Sequence, residues 1–70
     1  MKRFGEKLRM LRKKHGLSQS ALGQEIGVSQ VHVAKLELGQ KTPNVAMLLK
    51  LSELFDVLAD MLIKDYLELP

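Results

Sequence analysis

A glycine turn between two short amphipathic segments constrains the fold of this chain more than any other feature of the sequence. The first segment follows Ser18, a good N-cap, and its apolar residues recur at helical spacing, which predicts a helix over about 19–26. Gly27 ends that helix because only glycine enters the left-handed conformation without a Cβ penalty. Ser29 then caps a second helix over about 30–38. Helices this short are marginal alone, so we expect them to pack against each other and against the flanking chain.

Both segments have an inward apolar face. Leu22 and Ile26 supply it in the first helix, and Val33 and Leu36 supply it in the second. Gly23 costs helix propensity in mid-helix but allows another helix to approach closely. We therefore expect a close packing contact at Gly23.

The outward face of the second helix is the candidate functional surface. It carries an amide, a cation, an imidazole and small apolar groups, and no acid: Gln30, Val31, Ala34, Lys35 and Leu38, with His32 at its edge. An amide can pair two-pronged with adenine, lysine can reach guanine acceptors, and a valine methyl can touch the thymine methyl. The alternative interpretation is that Gln30 and Lys35 form an ordinary solvated face.

Together these residues resemble the helix-turn-helix domains of lambdoid phage repressors, Cro and similar small bacterial regulators. The resemblance covers nearly the whole chain and rests on Gln19, Leu22, Gly23, Ile26, Gly27, Val28, Ser29, Val33, Leu36, Glu37 and Gly39, continuing through Pro43. It implies an all-α fold, a five-helix lambda-repressor-like DNA-binding domain whose helices 2 and 3 form the helix-turn-helix. The third helix, about 30–38, would enter the major groove. The resemblance alone also implies a bacterial or phage origin.

The resemblance assigns roles to individual residues. The base-contacting set is Gln30, Val31, His32 and Lys35, with a phosphate as the alternative partner of His32, and the phosphate-contacting set is Gln19, Gln40, Lys41 and Thr42. The alternative to the phosphate role of Gln19 is a neutral first-turn residue, and the resemblance implies that Gln19 also braces Gln30. Val31 and Leu38 depart from the family pattern, in which polar residues are more frequent. Val31 therefore points toward methyl recognition.

A structural ion pair between Arg12 and Glu37 is a further implication of the resemblance. The pair would lock the first helix to the third, and arginine suits it because its planar fork matches a carboxylate. The alternative is two unrelated surface charges.

Charge is distributed unevenly along the chain. Residues 1–41 hold nine Lys and Arg against three Glu, a net +6, whereas residues 42–70 hold two Lys against five acids, a net −3. A positive half facing a polyanion and a negative half facing away suits a nucleic-acid binder. Residues 2–15 form a basic amphipathic helical pattern, for which a membrane-surface element is the competing interpretation.

Several classes of protein are unexpected for this sequence. No apolar run reaches the roughly 18 residues of a membrane span, and no signal peptide is evident, so we expect a cytoplasmic protein without a membrane partner. The chain has no Cys and two His, which are too few for a metal site. No catalytic constellation is present, and we expect neither enzyme activity, nor a cofactor, nor a small-molecule ligand.

The last third of the sequence predicts two further helices. Val45–Phe55 has a broad apolar band that includes Val45 and Leu49, and the pattern leaves open whether this helix is continuous with the next. Residues 59–69 are predicted to be helical, with the acids Asp60, Asp65 and Glu68 patterned toward solvent. The tentative dimer interface is Leu58, Met61, Tyr66 and Leu69. A twofold dimer through this helix would place two third helices about 34 Å apart. The alternative is that these residues all belong to the core.

The sequence therefore predicts one helix-turn-helix DNA-binding domain over residues 1–70. Its expected function is that of a sequence-specific, double-stranded DNA-binding transcriptional regulator, a repressor acting as a homodimer on a palindromic operator. The alternative function is an antitoxin-like or other protein-interaction module that uses the same fold and binds DNA weakly.

Overall fold

Five helices and no strand make up the computed structural model, which describes all residues from 1 to 70. The helices are α1 (Phe4–Lys14), α2 (Gln19–Ile26), α3 (Gln30–Glu37), α4 (Val45–Phe55) and α5 (Ala59–Ile63). The all-α fold of five helices predicted from the sequence is confirmed. No helix is long and apolar enough to cross a membrane.

The α2–turn–α3 unit is built by local signals in the sequence. Ser18 Oγ accepts the N–H of Ala21 at 3.0 Å, and Ser29 Oγ accepts the N–H of His32 at 3.1 Å. Gly27 lies in the left-handed region with φ of 76° and ends α2. Because each end of the unit is set by its own cap, the predicted bounds of α2 match the structure and those of α3 differ by one residue.

The helix-turn-helix is fixed by burial of its inward face. The core consists of Phe4, Leu8, Leu11, Leu22, Ile26, Val33, Leu36, Met47, Leu48, Leu51, Phe55, Val57 and Leu62. In this core α3 packs against both α2 and α1. The predicted inward residues of α2 and α3 are all buried.

Two glycines allow close approaches between segments. A Cβ on Gly23 would lie 2.5 Å from the carbonyl oxygen of Val28, so the close contact at Gly23 is with the turn before α3. A Cβ on Gly5 would lie 2.7 Å from the carbonyl oxygen of Leu36 and would also overlap that of Glu37. The second contact, which was not predicted from the sequence, packs α1 against the carboxyl end of α3.

Helices α4 and α5 are separate, which settles the alternative left open by the sequence. Asp56 ends α4 in the left-handed region with φ of 53°, and Ser52 Oγ donates to the carbonyl oxygen of Val57 at 2.5 Å. The predicted apolar band of α4 is only partly in the core. Val45 and Leu49 are exposed.

The prediction of a helix over 59–69 is wrong beyond Ile63. The chain turns there because a buried lysine binds main-chain carbonyl groups of this segment. The side chain of Lys7 is fully buried, and its Nζ donates to the carbonyl oxygens of Met61 at 2.6 Å, Lys64 at 2.9 Å and Leu67 at 2.6 Å. Burying an ammonium group is costly unless it is hydrogen-bonded, and three carbonyls supply those bonds. The chain therefore leaves the helix and folds back over α1.

Asp65 and Glu68 of this last segment bind the residues just before α1, although Glu68 remains exposed as the sequence pattern predicted. Asp65 accepts the main-chain N–H of Arg3 at 2.8 Å and that of Lys2 at 3.0 Å, the two residues that directly precede α1. The Arg3 guanidinium donates to Glu68 at 2.9 Å and to the carbonyl oxygen of Asp65 at 3.1 Å. These bonds lower the pKa values of both carboxyl groups. Residues 64–70, hereafter the tail, are thus fastened to the first helix.

Candidate nucleic-acid interface

The outward face of α3 is open, as a DNA-contacting surface requires. Gln30 and Lys35 are exposed, and 57% of Val31 and 71% of Leu38 are accessible. His32 is half-buried, and Lys35 makes no ion pair. Of the side chains predicted to contact bases, Gln30, Val31 and Lys35 are therefore open to solvent, and only His32 is partly covered.

A buried ion pair fixes α3 to α1. Arg12 Nε donates to Glu37 Oε2 at 2.6 Å and Arg12 Nη2 donates to Glu37 Oε1 at 3.1 Å. The Arg12 and Glu37 side chains are only 12% and 4% exposed, and Arg12 Nη1 also donates to the carbonyl oxygen of Leu17 at 2.9 Å. The hydrogen bond to Glu37 raises the pKa of Arg12, which keeps the guanidinium charged. The pair therefore sets the position of α3 relative to α1.

Gln19 links this ion pair by hydrogen bonds to Gln30 on the outward face of α3. Its Nε2 donates to Glu37 Oε1 at 3.3 Å, and its Oε1 accepts from Gln30 Nε2 at 2.6 Å. An ionised carboxylate only accepts hydrogen bonds, so Glu37 turns the Gln19 amide nitrogen inward and its oxygen toward Gln30. Gln30 must then donate with one N–H. Its Oε1 and its second N–H remain available for another partner.

Only some of the contacts from Arg12 to Gln30 were predicted from the sequence. The resemblance implied the Arg12–Glu37 pair and the bracing of Gln30 by Gln19. The hydrogen bond from Gln19 to Glu37 could not be predicted. The two residues are 18 positions apart on different helices, and the sequence does not fix the distance between their side chains. That bond is what determines which way the Gln30 amide faces.

The predicted phosphate contacts lie around α3. Gln40, Lys41 and Thr42 are exposed in the loop that follows Gly39, whose φ of 78° ends the helix region. The side chain of Gln19 is half-buried and lines a shallow depression with Ala34 and Leu38 of α3. The structure therefore brings Gln19 beside the outward face.

The tentative interface residues do not form one helical face. Leu58 occupies the N-cap position of α5 without a side-chain cap hydrogen bond and is 66% exposed, and Tyr66 lies in the tail and is 74% exposed. Met61 and Leu69 are half-buried and pack partly on the core. The early end of α5 is the reason, because Tyr66 and Leu69 no longer continue its helical spacing.

Two short helices joined by a glycine turn, with the second presenting an open polar face, define a helix-turn-helix protein. The model of the family described as "Helix-turn-helix" matches residues 8–62. This chain belongs to the helix-turn-helix family of DNA-binding transcriptional regulators of the Cro/C1 type, as predicted. The members of this family are regulators and not enzymes, which agrees with the prediction for this chain.

Individual relatives agree with this assignment. The chain is 40% identical over 61 residues to the repressor protein C2 of Salmonella phage P22, covering 87% of this chain and 28% of the relative. It is 34% identical over 61 residues to the SPbeta prophage-derived HTH-type transcriptional regulator YonR of Bacillus subtilis, covering 87% and 56%. The chain thus spans between about a quarter and just over half of the length of these relatives.

A solved structure shows the same fold. The crystal structure of the P22 c2 repressor in complex with a synthetic operator superposes with a TM-score of 0.82 at 39% identity, covering 87% of this chain and 92% of that one. The solution structure of the P22 c2 DNA-binding domain gives a TM-score of 0.81 at 38% identity, covering 93% and 86%.

Proposed function

We propose that this protein is a sequence-specific regulator of transcription, a repressor that binds double-stranded operator DNA by inserting α3 into the major groove. The fold supports the proposal, since the similar P22 c2 structure is itself a complex with operator DNA. The observation that carries it is the orientation of Gln30 by the chain of contacts from Arg12 through Glu37 and Gln19.

The oriented Gln30 amide matches the edge of adenine. Recognition of adenine in the major groove needs an acceptor for N6–H and a donor for N7. The Oε1 and the free N–H of Gln30 supply both, because its other N–H is held by Gln19. A side chain held in this way loses less conformational freedom on binding than a free one.

Val31 and Lys35 complete the proposed base-contacting set, with His32 at the edge contacting a base or a phosphate. The exposed methyl groups of Val31 suit the thymine methyl, and the unpaired ammonium group of Lys35 suits the O6 and N7 acceptors of guanine. Phosphate contacts are proposed for Gln19, Gln40, Lys41 and Thr42. These fix the register of the protein on DNA and carry no sequence information.

A homodimer on a palindromic operator is the proposed assembly. Leu58 and Tyr66 are large side chains left exposed to solvent, and Leu58 lies beside Met61 and Pro70 around a shallow hollow. Paired across a twofold axis, two copies of α3 would fit successive turns of the major groove. Sedimentation equilibrium with and without operator duplex tests the assembly, and a monomer at high micromolar concentration, alone and on DNA, would reject it.

Selection of bound duplexes from a random pool, followed by sequencing, tests the function directly. We expect a palindromic consensus. Lys35→Ala should relax the preference at particular base pairs, whereas Lys41→Ala should weaken all sequences alike and reduce the salt slope by about one unit. Identical behaviour of the two variants would contradict the separate roles assigned to them. Weak, sequence-independent binding that disappears near physiological salt would favour the alternative of a protein-interaction module.

A further inference from the structure

We infer that α1 and the residues just before it carry a second phosphate-binding element, a stripe of three cations formed by Lys2, Arg9 and Lys13. Arg9 and Lys13 are four residues apart and share one helical face, and Lys2 precedes Arg9 by about two turns. The inference rests on the proposed function, because the stripe would contact the backbone of the same DNA.

Cations on α1 divide into two groups by what they contact. Arg3, Lys7, Arg12 and Lys14 each donate to another part of the chain. The side chains of Lys2, Arg9 and Lys13 make no ion pair and no hydrogen bond with protein groups. They are exposed, and they are the only three cations of residues 2–14 in this state.

A groove of about 570 Å³ collects these three side chains. The cations lie along α1 on one side, and Leu38 and Gly39 at the carboxyl end of α3 form the other. The three side chains are thus at the edge of the helix that is proposed to enter the major groove.

The acids of the groove do not cancel these charges. Glu6 is bound by Arg3 at 2.9 Å, and Glu37 is bound by Arg12 at 2.6 Å. Arg3 also binds Glu68, so Glu6 is only partly compensated, but the three cations still outnumber the two acids that line the groove and leave it with a net positive charge. Such a surface attracts a polyanion.

The stripe adjoins the proposed phosphate contacts at two points, through Arg9 in its middle and through Lys2 at one end. Arg9 also lines the depression that contains Gln19 and Ala34. Lys2 also lines a small hollow shared with Lys41 and Thr42. An acidic protein partner would not need this continuity, whereas a DNA backbone crossing the edge of α3 would follow it.

The test is the salt dependence of DNA binding by two variants of equal net charge. One variant combines Lys2→Gln, Arg9→Gln and Lys13→Gln, and the control combines Lys14→Gln, Lys50→Gln and Lys64→Gln, which removes three charges elsewhere. Binding is measured on the duplex selected by the wild-type chain and on a scrambled duplex. Circular dichroism establishes that both variants fold, and Arg9→Gln alone provides a milder version of the same change.

Each lost phosphate contact lowers the salt slope by about 0.9, so we expect the stripe variant to lose about two to three units and Arg9→Gln about one. The loss should be equal on both duplexes, and the control variant should change the slope much less. Equal slopes for the two triple variants would overturn the inference. Failure of the wild-type chain to distinguish the two duplexes would instead overturn the proposed function, while the comparison of slopes would still decide the role of the stripe.

Discussion

The amide oxygen of Gln19 accepts a 2.6 Å hydrogen bond from the amide nitrogen of Gln30, joining the first turns of α2 and α3. Removing this hydrogen bond should reduce the discrimination between DNA sequences more than it reduces the overall affinity for DNA. The comparison is between the selected duplex and a duplex with one substitution at the base pair opposite Gln30. For Gln19→Ala we expect the preference for the selected duplex to fall by roughly tenfold, which lies within the 1–3 kcal/mol of a bidentate base contact.

The ratio of dissociation constants for the two duplexes measures this effect, because any lost phosphate contact cancels in it. Ser20→Ala, at the next and exposed position of α2, serves as the control. An unchanged ratio for Gln19→Ala would contradict the bracing role.

The Arg12–Glu37 pair should be important for stability. Arg12→Ala leaves a carboxylate that is only 4% exposed without its partner, and breaking such a pair costs about 3 kcal/mol. We expect Tm to fall by about 10 °C or more in a chain of this size. Lys13→Ala, at the next position on α1 and exposed, should change Tm little. Thermal unfolding followed by circular dichroism compares them, and similar Tm values would show that the pair contributes little.

Lys7 should hold the tail in place. In Lys7→Met the carbonyl oxygens of Met61, Lys64 and Leu67 lose their common donor and regain hydrogen bonds only by exposure to water. We therefore expect faster amide exchange in residues 64–70 together with a lower Tm. Hydrogen exchange read by mass spectrometry measures this, with Lys13→Met, an exposed position on the same helix whose side chain makes no hydrogen bond with the tail, as the control. Unchanged exchange in the tail would reject the role of Lys7.

Acid should weaken the attachment of the tail. The N–H groups of Arg3 and Lys2 lower the pKa of Asp65, and the Arg3 guanidinium lowers that of Glu68. A carboxyl group with a depressed folded-state pKa stabilises the fold above its unfolded-state pKa of about 4, and that contribution is lost as the pH falls through the folded-state value.

Thermal unfolding of the wild-type chain and of Asp65→Asn between pH 7 and pH 2 tests this dependence. We expect the wild-type chain to have the higher Tm at neutral pH and the difference to shrink below about pH 4. A difference that is constant with pH would show that the Asp65 charge is not involved.

Gly23 provides a test in which helix propensity and packing predict opposite signs. Alanine in place of a mid-helix glycine adds up to about 1 kcal/mol of helix propensity. The new Cβ would, however, lie 2.5 Å from the carbonyl oxygen of Val28, and overpacking of this kind costs roughly 1–3 kcal/mol. We expect Gly23→Ala to be less stable than the wild-type chain in urea unfolding. A more stable variant would mean that the turn moves to accommodate the methyl group.

The sequence by itself determined the elements whose signals are local. Ser18, Gly27 and Ser29 set the ends of α2 and α3 through bonds within a few residues, and the apolar spacing fixed which faces are buried. The open face of α3 followed from the same spacing, since residues on the opposite side of a helix from its core face must point away from the core.

Only the tertiary structure decided the contacts between distant segments. The buried ammonium group of Lys7 ends α5 from 54 to 60 residues away, so the apolar pattern of 59–69 wrongly predicted a longer helix. The Gln19–Glu37 bond likewise fixes the orientation of the Gln19 amide, and through it the direction in which the Gln30 amide faces. Hydrogen bonds of this kind depend on how the helices cross, and helix crossing is fixed by packing of the whole core rather than by any spacing along the chain.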